Sequence, residues 1–394
     1  MRTYIQKRGS EKRMKTAFLI TNGNMGGTAG DATLILRRAK SMYDKKGIYT
    51  KILLLNPVEQ GNVNRGDCFY SIEKCADKKV LTEKILKEKP HMIILYGDKI
   101  QMMTAAIHKF VKKNRIPAKI VVDIQGAIEE KKEYSSSFVR KFIIYPISRY
   151  FFTKAVKNAD AAFVVSDEIR DKCEKARKNK SGQIEYYKVR CGFEELATVE
   201  QIKEYRAEFR KNKNIAKNTK VFCYSGYRAG WQKVDEIIEH FSRFDKFDSN
   251  CYFAFFCNTD ERFESLLKET FPRGNYCLEL LKPQDYFKSL CGCDVGYILR
   301  DYNETNRVAF PNKFSDYLGS GLIVALNNAL PEPMRLIKQM PTHYVDTDTI
   351  LHDVESLFQK LSEREKNYDN FVKESLEFGE KELLYSTQVK KLNI

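Results

Sequence analysis

A chain of 394 residues is too long for one ordinary domain and suits two. Hydrophobic residues at 43% and charged residues at 30% describe a globular chain with material for two cores, which excludes a disordered or fibrous class. Lys and Arg exceed Asp and Glu by 16, so the surface favours anionic partners: phosphates, nucleic acid or an acidic membrane face. Residues 1–14 are basic, lack the apolar core of a signal peptide and read as a tail, and no stretch has the length needed to span a bilayer. Cysteines are scattered singly, several inside apolar runs, which predicts buried free thiols and a reducing cytoplasmic setting. The close pair Cys291 and Cys293 has no His or second pair at zinc spacing, so no metal site is expected.

In chain order, Thr16–Thr21 reads as a strand that ends in a glycine-rich turn, Asn22–Gly30. Asp31 then caps a helix carrying Ile35, Leu36, Ala39 and Met42 at helical spacing. Strands follow at Tyr49–Leu55, Met92–Tyr96, Lys119–Asp123, Ala161–Val165 and Ile184–Val189, with helices over Lys99–Lys113, Phe138–Lys157 and Asp167–Arg177. Such alternation means right-handed βαβ units and a parallel sheet. A charged stretch from 194 to 220 places the domain boundary near residue 195. The pattern restarts with strands at Val221–Tyr224, Tyr252–Phe256, Val295–Leu299 and Leu322–Leu326. Its helices fall at Asp235–Phe244, Glu261–Phe271, Asp285–Leu290 and Phe314–Leu318, and Asp353–Leu361 and Tyr368–Leu384 close the chain. The expected fold is α/β: two doubly wound, Rossmann-like domains, 15–195 and 196–375, with residues 376–394 as a helix returning to the first.

Two segments carry chemistry. In Gly23–Gly30 the glycines, Gly26 and Gly27 among them, let backbone N–H groups approach a phosphate or sugar at a helix N-terminus. Their spacing fits neither the dinucleotide fingerprint nor a P-loop, and a plain strand-to-helix turn accounts for them equally well. In the second segment a strand delivers Arg300 to a loop, and Pro311 starts a helix whose positive end, with Lys313, suits an anion. Asp316, one turn on, can accept hydrogen bonds from a ribose diol. Local spacing alone also fits a surface helix with an Asp–Lys pair. Phe138–Lys157 mixes aromatics with Arg140, Lys141, Arg149, Lys154 and Lys157, so an anionic membrane surface is a candidate partner. The apolar half reads better as a core-packed helix interrupted at Pro146. No nucleic-acid recognition motif accompanies the charge, and nucleic acid is not an expected partner.

The run Asp294–Leu326 resembles the donor-site motif of bacterial capsule and surface-polysaccharide glycosyltransferases, in the retaining GT-B group called family 4. Three stretches follow that group's order: Val122–Gly126 with Glu129-Glu130, Ala159–Ser166, and Tyr224-Ser225-Gly226 with Trp231-Gln232. The resemblance implies two domains facing across a cleft, the first on the acceptor side and the second holding the nucleotide-sugar. It implies a metal-independent transferase of the hexosyl type, with UDP-sugar as the guessed donor and no cofactor. The acceptor would be a saccharide, lipid-linked, reached from the cytoplasm at the inner face of the cell membrane. Asp316 would hold the ribose. Lys313, Arg228, Pro311 and Asn312 would face the diphosphate, Leu281 the base, and Gly26, Gly27, Ser225 and Gly226 the phosphates and sugar. Arg300, Glu304 and Asn306 would lie near the sugar. Gln125 stands where the family carries His, Gly230 where relatives place Lys, and Val308 where they place Glu. Lys233 or Arg228 is the expected substitute for that Lys, and Glu304 for that Glu. A nucleotide-sugar epimerase and a non-catalytic binding relative are the alternatives. Acceptor choice is assigned to the loops Gly61–Lys74 and Glu129–Ser137.

Overall fold

The computed structural model describes residues 14–23, 25, 30–55, 65–178, 180 and 182–394. Eight strands form the first sheet: β1 (Lys15–Thr21), β2 (Ile48–Leu55), β3 (Arg65–Asp67), β4 (Tyr70–Cys75), β5 (Met92–Tyr96), β6 (Lys119–Ile124), β7 (Ala161–Val164) and β8 (Glu185–Lys188). Their order is β3-β4-β2-β1-β5-β6-β7-β8, parallel except for β3 against β4. The second sheet holds β9 (Lys220–Ser225), β10 (Cys251–Phe256), β11 (Tyr276–Leu278), β12 (Val295–Ile298), β13 (Ile323–Leu326) and β14 (Tyr344–Asp346). It is parallel throughout, in the order β11-β10-β9-β12-β13-β14. Helices cover both faces, so the inner strands are unbroken apolar runs: Phe18–Ile20, Phe222–Tyr224 and Ile323–Leu326 are all buried.

Strand order reverses between β1 and β5 in one sheet and between β9 and β12 in the other. Ligands of open parallel sheets bind at such switch points, beyond the carboxyl ends of the strands. Arg300 and the Ser225-Gly226 turn both sit there, at the ends of β12 and β9.

Several expectations change. Residues 61–64 lie outside the described residues, and the rest of the presumed acceptor loop is a hairpin of β3 and β4 turning at Cys68 and Phe69, with β4 paired to β2 from Thr50–Tyr70 to Leu55–Cys75. The few apolar side chains of β4 serve both faces of the sheet: Ile72 packs in one core cluster and Cys75 in the other, with Ser71, Glu73 and Lys74 polar. The charged stretch after Glu194 contains a helix, Val199–Asn212, whose capping box pairs Thr198 with Gln201. Helix Gly30–Lys46 starts before Asp31 rather than after it, and Pro311 is the residue preceding helix Asn312–Gly319 rather than its first. The last helix breaks at Leu384: Tyr368–Glu382 ends, and Tyr385–Lys390 turns back. Tyr385, Val389 and Leu392 pack into the first domain's core with Ala17 and Leu19. Phe193 pairs with Leu384 there, and a Cβ on Gly192 would stand 1.8 Å from the Leu383 carbonyl oxygen, so only glycine fits. All cysteines are free, and all but Cys68 are buried.

The apolar half of Phe138–Lys157 is not core. A π turn at Arg140–Ile144 runs into helix Tyr145–Asn158, with Pro146 near the junction. Phe152, Ala155 and Val156 are buried, but Phe138, Phe142, Ile147 and Tyr150 face solvent.

At the head of β12 the buried Asp294 meets Arg206, Arg210 and Arg364, each at 2.7 Å, and accepts from Val221 N at 2.8 Å. Burial alone would raise its pKa, but the three guanidinium groups hold it far below the usual carboxylate range. The arginines come from helices Val199–Asn212 and Val354–Lys366, so one carboxylate ties both to the sheet. Asp294→Ala strands these cations without their counter-charge and is expected to cost about 3–5 kcal/mol in urea unfolding at neutral pH. A depressed folded-state pKa contributes stability that is complete above about pH 4 and is lost as pH falls through the folded value. The difference between mutant and wild type should therefore hold from pH 5 to 8 and narrow only in stronger acid.

Candidate functional site

The two domains enclose a cleft of about 830 Å³. From the first domain it takes Gln125, Gly126 and Glu130, which follow β6. From the second it takes Gly226, Trp231, Gln232, Leu281, Tyr286, Arg300, Asn306, Pro311, Asn312, Lys313 and Asp316. Gly26 and Gly27 lie outside the described residues.

Lys313 and Arg300 are the electrostatic centre. Both are buried, at 8% and 6% exposure, and neither has a carboxylate at ion-pair distance among the described residues. Lys313 Nζ donates to Gln232 Oε1 at 2.7 Å and lies 4.0 Å from the centre of the Tyr224 ring. Arg300 donates to the same Gln232 oxygen and to Trp231 O. One neutral carboxamide oxygen thus serves two cations. Burial pushes Lys313 well below its ordinary range, and the Arg300 charge adds to the effect. Burial also lowers Arg300, to about 10. Gly226 gives the lysine stem its passage. Its φ is +108°, and a Cβ there would lie 2.8 Å from Lys313 Cε.

Asp316 sits one turn further along helix Asn312–Gly319, partly open to the cleft. Tyr286 OH donates to it at 3.3 Å and meets Ser225 Oγ at 2.8 Å. Ser225 is thereby fixed beneath Asp316, since its N and Oγ both reach Tyr317 OH. Burial raises Asp316 to about 6, against the opposing charge of Arg37, which comes from the first domain. Asp316 and Tyr286 also wall a second cavity of about 490 Å³, which Arg37 lines.

Three expected residues point elsewhere. Arg228 is paired with Asp260, donates to Asn258 O at 2.9 Å and lies over Phe263. Lys233, at φ +49°, bridges Asp301 and Glu236, each at 3.0 Å. Glu304 pairs with Arg307 on its own short helix at 2.7 Å. None of the three lines the cleft. Val308 is fully buried, and its carbonyl accepts from Ser166 Oγ at 2.7 Å across the domain junction.

Residues the sequence left unread close the cleft. Glu133 accepts from the backbone N of Glu304 at 3.1 Å and of Thr305 at 2.9 Å. Tyr134 OH accepts from Asn303 at 2.6 Å and Asn306 at 2.9 Å, while its ring meets Trp231 edge-on at 5.5 Å. The loop 129–137 is therefore a latch between domains. Gln232 and Tyr286 also went unassigned; the pairing of Gln with the preceding Trp was the signal for the first, and none existed for the second. Gln125 donates to Asp123, and its Oε1 is buried with no partner among the described residues. No three His, Cys, Asp or Glu side chains among the described residues are placed to hold a metal, and no described helix is long and apolar enough to cross a membrane.

No protein-family model and no curated protein sequence matches the chain. Solved structures do. The Anabaena HepE protein in complex with UDP-glucose aligns with TM-score 0.59 and 11% identity over 95% of this chain and 97% of its own. An α,α-trehalose-phosphate synthase (UDP-forming) of Burkholderia vietnamiensis aligns with TM-score 0.61 and 10% identity over 95% and 98%. A glycosyltransferase of Rickettsia africae aligns with TM-score 0.63 and 10% identity over 96% and 97%. Two mostly parallel sheets facing across a cleft, matched over nearly the whole length, make this a GT-B glycosyltransferase fold.

A buried cation with no carboxylate partner is desolvated without a compensating ion pair, which costs stability. Lys313→Met is expected to stabilise the ligand-free protein by about 1–3 kcal/mol in urea unfolding. A lower stability for the methionine variant would make Lys313 a structural residue.

Proposed function

We propose that the chain is a retaining glycosyltransferase of the family 4 kind, moving a sugar from a nucleotide-diphosphate donor to a lipid-linked saccharide in bacterial surface-polysaccharide synthesis. The observation that carries the transfer reading is the pair of buried cations, Lys313 and Arg300, held by one neutral oxygen at the switch point of a GT-B cleft. They suit a diphosphate, with the N-terminus of helix Asn312–Gly319 adding its positive end. Asp316, raised to about 6 and still ionised at neutral pH, suits the ribose diol, and Leu281 the base. The UDP and UDP-glucose bound by Anabaena HepE favour a uridine donor.

In the reaction the bond between the sugar anomeric carbon and the diphosphate oxygen breaks. Negative charge collects on the leaving phosphate, where Lys313 and Arg300 are already oriented and already desolvated. Two fixed cations take the part a metal plays elsewhere. The acceptor hydroxyl bonds to the anomeric carbon on the face the diphosphate leaves, and its proton passes to the departing phosphate oxygen. Gln125 and Asn306, which both line the cleft, would hold sugar hydroxyls.

Among UDP, GDP, CDP, dTDP and their common sugars, one nucleotide series should stabilise the protein, by about 2.7 kcal/mol at a hundredfold excess over Kd. Asp316→Ala and Lys313→Met should each remove that shift. Stabilisation by none of them would count against the donor site.

Donor binding should also follow a bell in pH. A sugar nucleotide carries no phosphate proton that titrates near neutrality, so the acid limb belongs to the protein; in alkali a uracil or guanine ring N–H also ionises, and the Lys313→Met comparison separates that limb from the lysine's. Affinity should rise with pH through about 6 as Asp316 ionises. It should fall again below the ordinary lysine range as Lys313 loses its proton. Lys313→Met should abolish the lysine's alkaline limb in any residual binding measured by calorimetry.

A further inference from the structure

The helical segment that begins at Arg140 has two unlike halves. Phe152, Ala155 and Val156 seat its second half on the first domain's core. Its first half has no such partner. Phe138 is 70% exposed, Phe142 63% and Tyr150 60%, with Val139, Ile143 and Ile147 also bare. Positions 139, 142, 143, 147 and 150 recur three or four apart, so these side chains form one stripe. The Phe138 and Phe142 rings meet at a tilt, 4.6 Å between centres, which makes the stripe continuous at its start. The π turn over Arg140–Ile144 lies just ahead of Pro146, whose ring nitrogen cannot donate in the ladder. A stripe of this kind on a folded protein marks a surface that something else covers.

Charge selects the cover. From Phe138 to Lys157 there is no Asp or Glu, and Arg140, Lys141, Arg149, Lys154 and Lys157 flank the apolar side chains. Arg140, Arg149 and Lys154 are exposed, and none of these five makes an ion pair among the described residues. A second copy of the same face, docked by two-fold symmetry, would set like charge against like. A flat surface with anionic headgroups above an apolar layer accepts both features: the rings enter the acyl boundary and the cations stay among the headgroups.

We propose that Phe138–Lys154 is the surface by which this protein docks, peripherally, on an anionic lipid bilayer. The segment adjoins the cleft: Lys131 Nζ donates to Ser148 Oγ at 2.9 Å and Tyr145 OH to Glu129 at 3.5 Å, while Glu130 lines the cleft itself. Docking so brings the first domain's side of the cleft against the membrane, where a lipid-linked acceptor emerges. The docking face stands on exposure and charge alone; only its meaning for the acceptor rests on the transferase reading.

The test is co-sedimentation of the full chain with vesicles of phosphatidylcholine alone or mixed with phosphatidylglycerol, at low and high salt, beside sizing in solution. The wild type should bind the anionic vesicles at least about tenfold more tightly than the neutral ones and weaken with salt. Phe142→Ser/Ile147→Ser and, separately, Arg140→Gln/Arg149→Gln/Lys154→Gln should each reduce binding at least about tenfold. Both variants should keep the wild-type melting temperature and nucleotide-induced shift. If the apolar variant fails to fold, the charge variant and the wild-type salt series decide. Absence of binding to anionic vesicles at low salt overturns the proposal. So does binding that neither variant weakens, or a dimer in solution that Phe142→Ser dissociates. A docking failure leaves the nucleotide shift intact, and a failure of the donor site leaves vesicle binding intact.

Discussion

Strand β12 has opposite electrostatics at its two ends, and the second domain is organised around that difference. At its head one buried carboxylate, Asp294, is matched by three arginines. Just past its tail two buried cations, Arg300 and Lys313, share a neutral oxygen and have no carboxylate at ion-pair distance among the described residues. The head is saturated: its arginines also donate to the carbonyls of Cys293, Gly292 and Gly321. Such a knot fixes two helices against the sheet and leaves nothing for a ligand. The tail is the reverse, a rigid site short of negative charge. The stability bound up in the first makes the electrostatic strain of the second affordable within one small domain.

The same part of the chain that carries the cations also makes the domain junction. Asn303, Thr305 and Val308 meet Tyr134, Glu133 and Ser166, and Ser315 donates to Cys191 O. Further along, Glu332 takes Arg190 and the backbone of Asp167, and Arg335 takes Glu168. A movement of one domain on the other therefore changes the surroundings of Asn306 directly, and those of Arg300 through Trp231. Tyr134 is the sharpest case, because its hydroxyl and ring touch Asn306 and Trp231, both of which line the cleft.

What could be read from the residues divides along physical lines. Buried parallel strands such as Ile323–Leu326 announce themselves as apolar runs, so the two-sheet architecture was legible. Short, half-polar elements were not: β4 sets Ile72 and Cys75 among Ser71, Glu73 and Lys74 with no clean period and passed for a loop, and the capping box of Val199–Asn212 was hidden in charge. The placing of Lys313, Arg300 and Asp316 in one cleft was legible because a strand, a loop and a helix follow each other within a few turns of chain. Arg228, Lys233 and Glu304 were not, because their direction depends on Asp260, Asp301 and Arg307, and such pairings leave no mark in local spacing. The bare stripe at Phe138–Tyr150 was misread for a related reason: an apolar helical face looks the same in sequence whether protein or something else covers it.

Gln125 bears on the proposed chemistry through what it is unable to do. It stands in the cleft where an imidazole would titrate near neutrality, and a carboxamide has no such proton. Its Nε2 is committed to Asp123, itself paired with Arg38 in the core, so the amide is anchored and its buried oxygen can act only as an acceptor. An acceptor oxygen orients a hydroxyl without taking its proton away. On the proposed reaction, deprotonation of the incoming hydroxyl then falls to the group that gains basicity as the bond breaks, the leaving phosphate. That in turn explains why the cations beside it are a lysine whose charge burial has weakened and an arginine held by a neutral amide. Fully paired cations would have no capacity left for the charge that appears there only in the transition state.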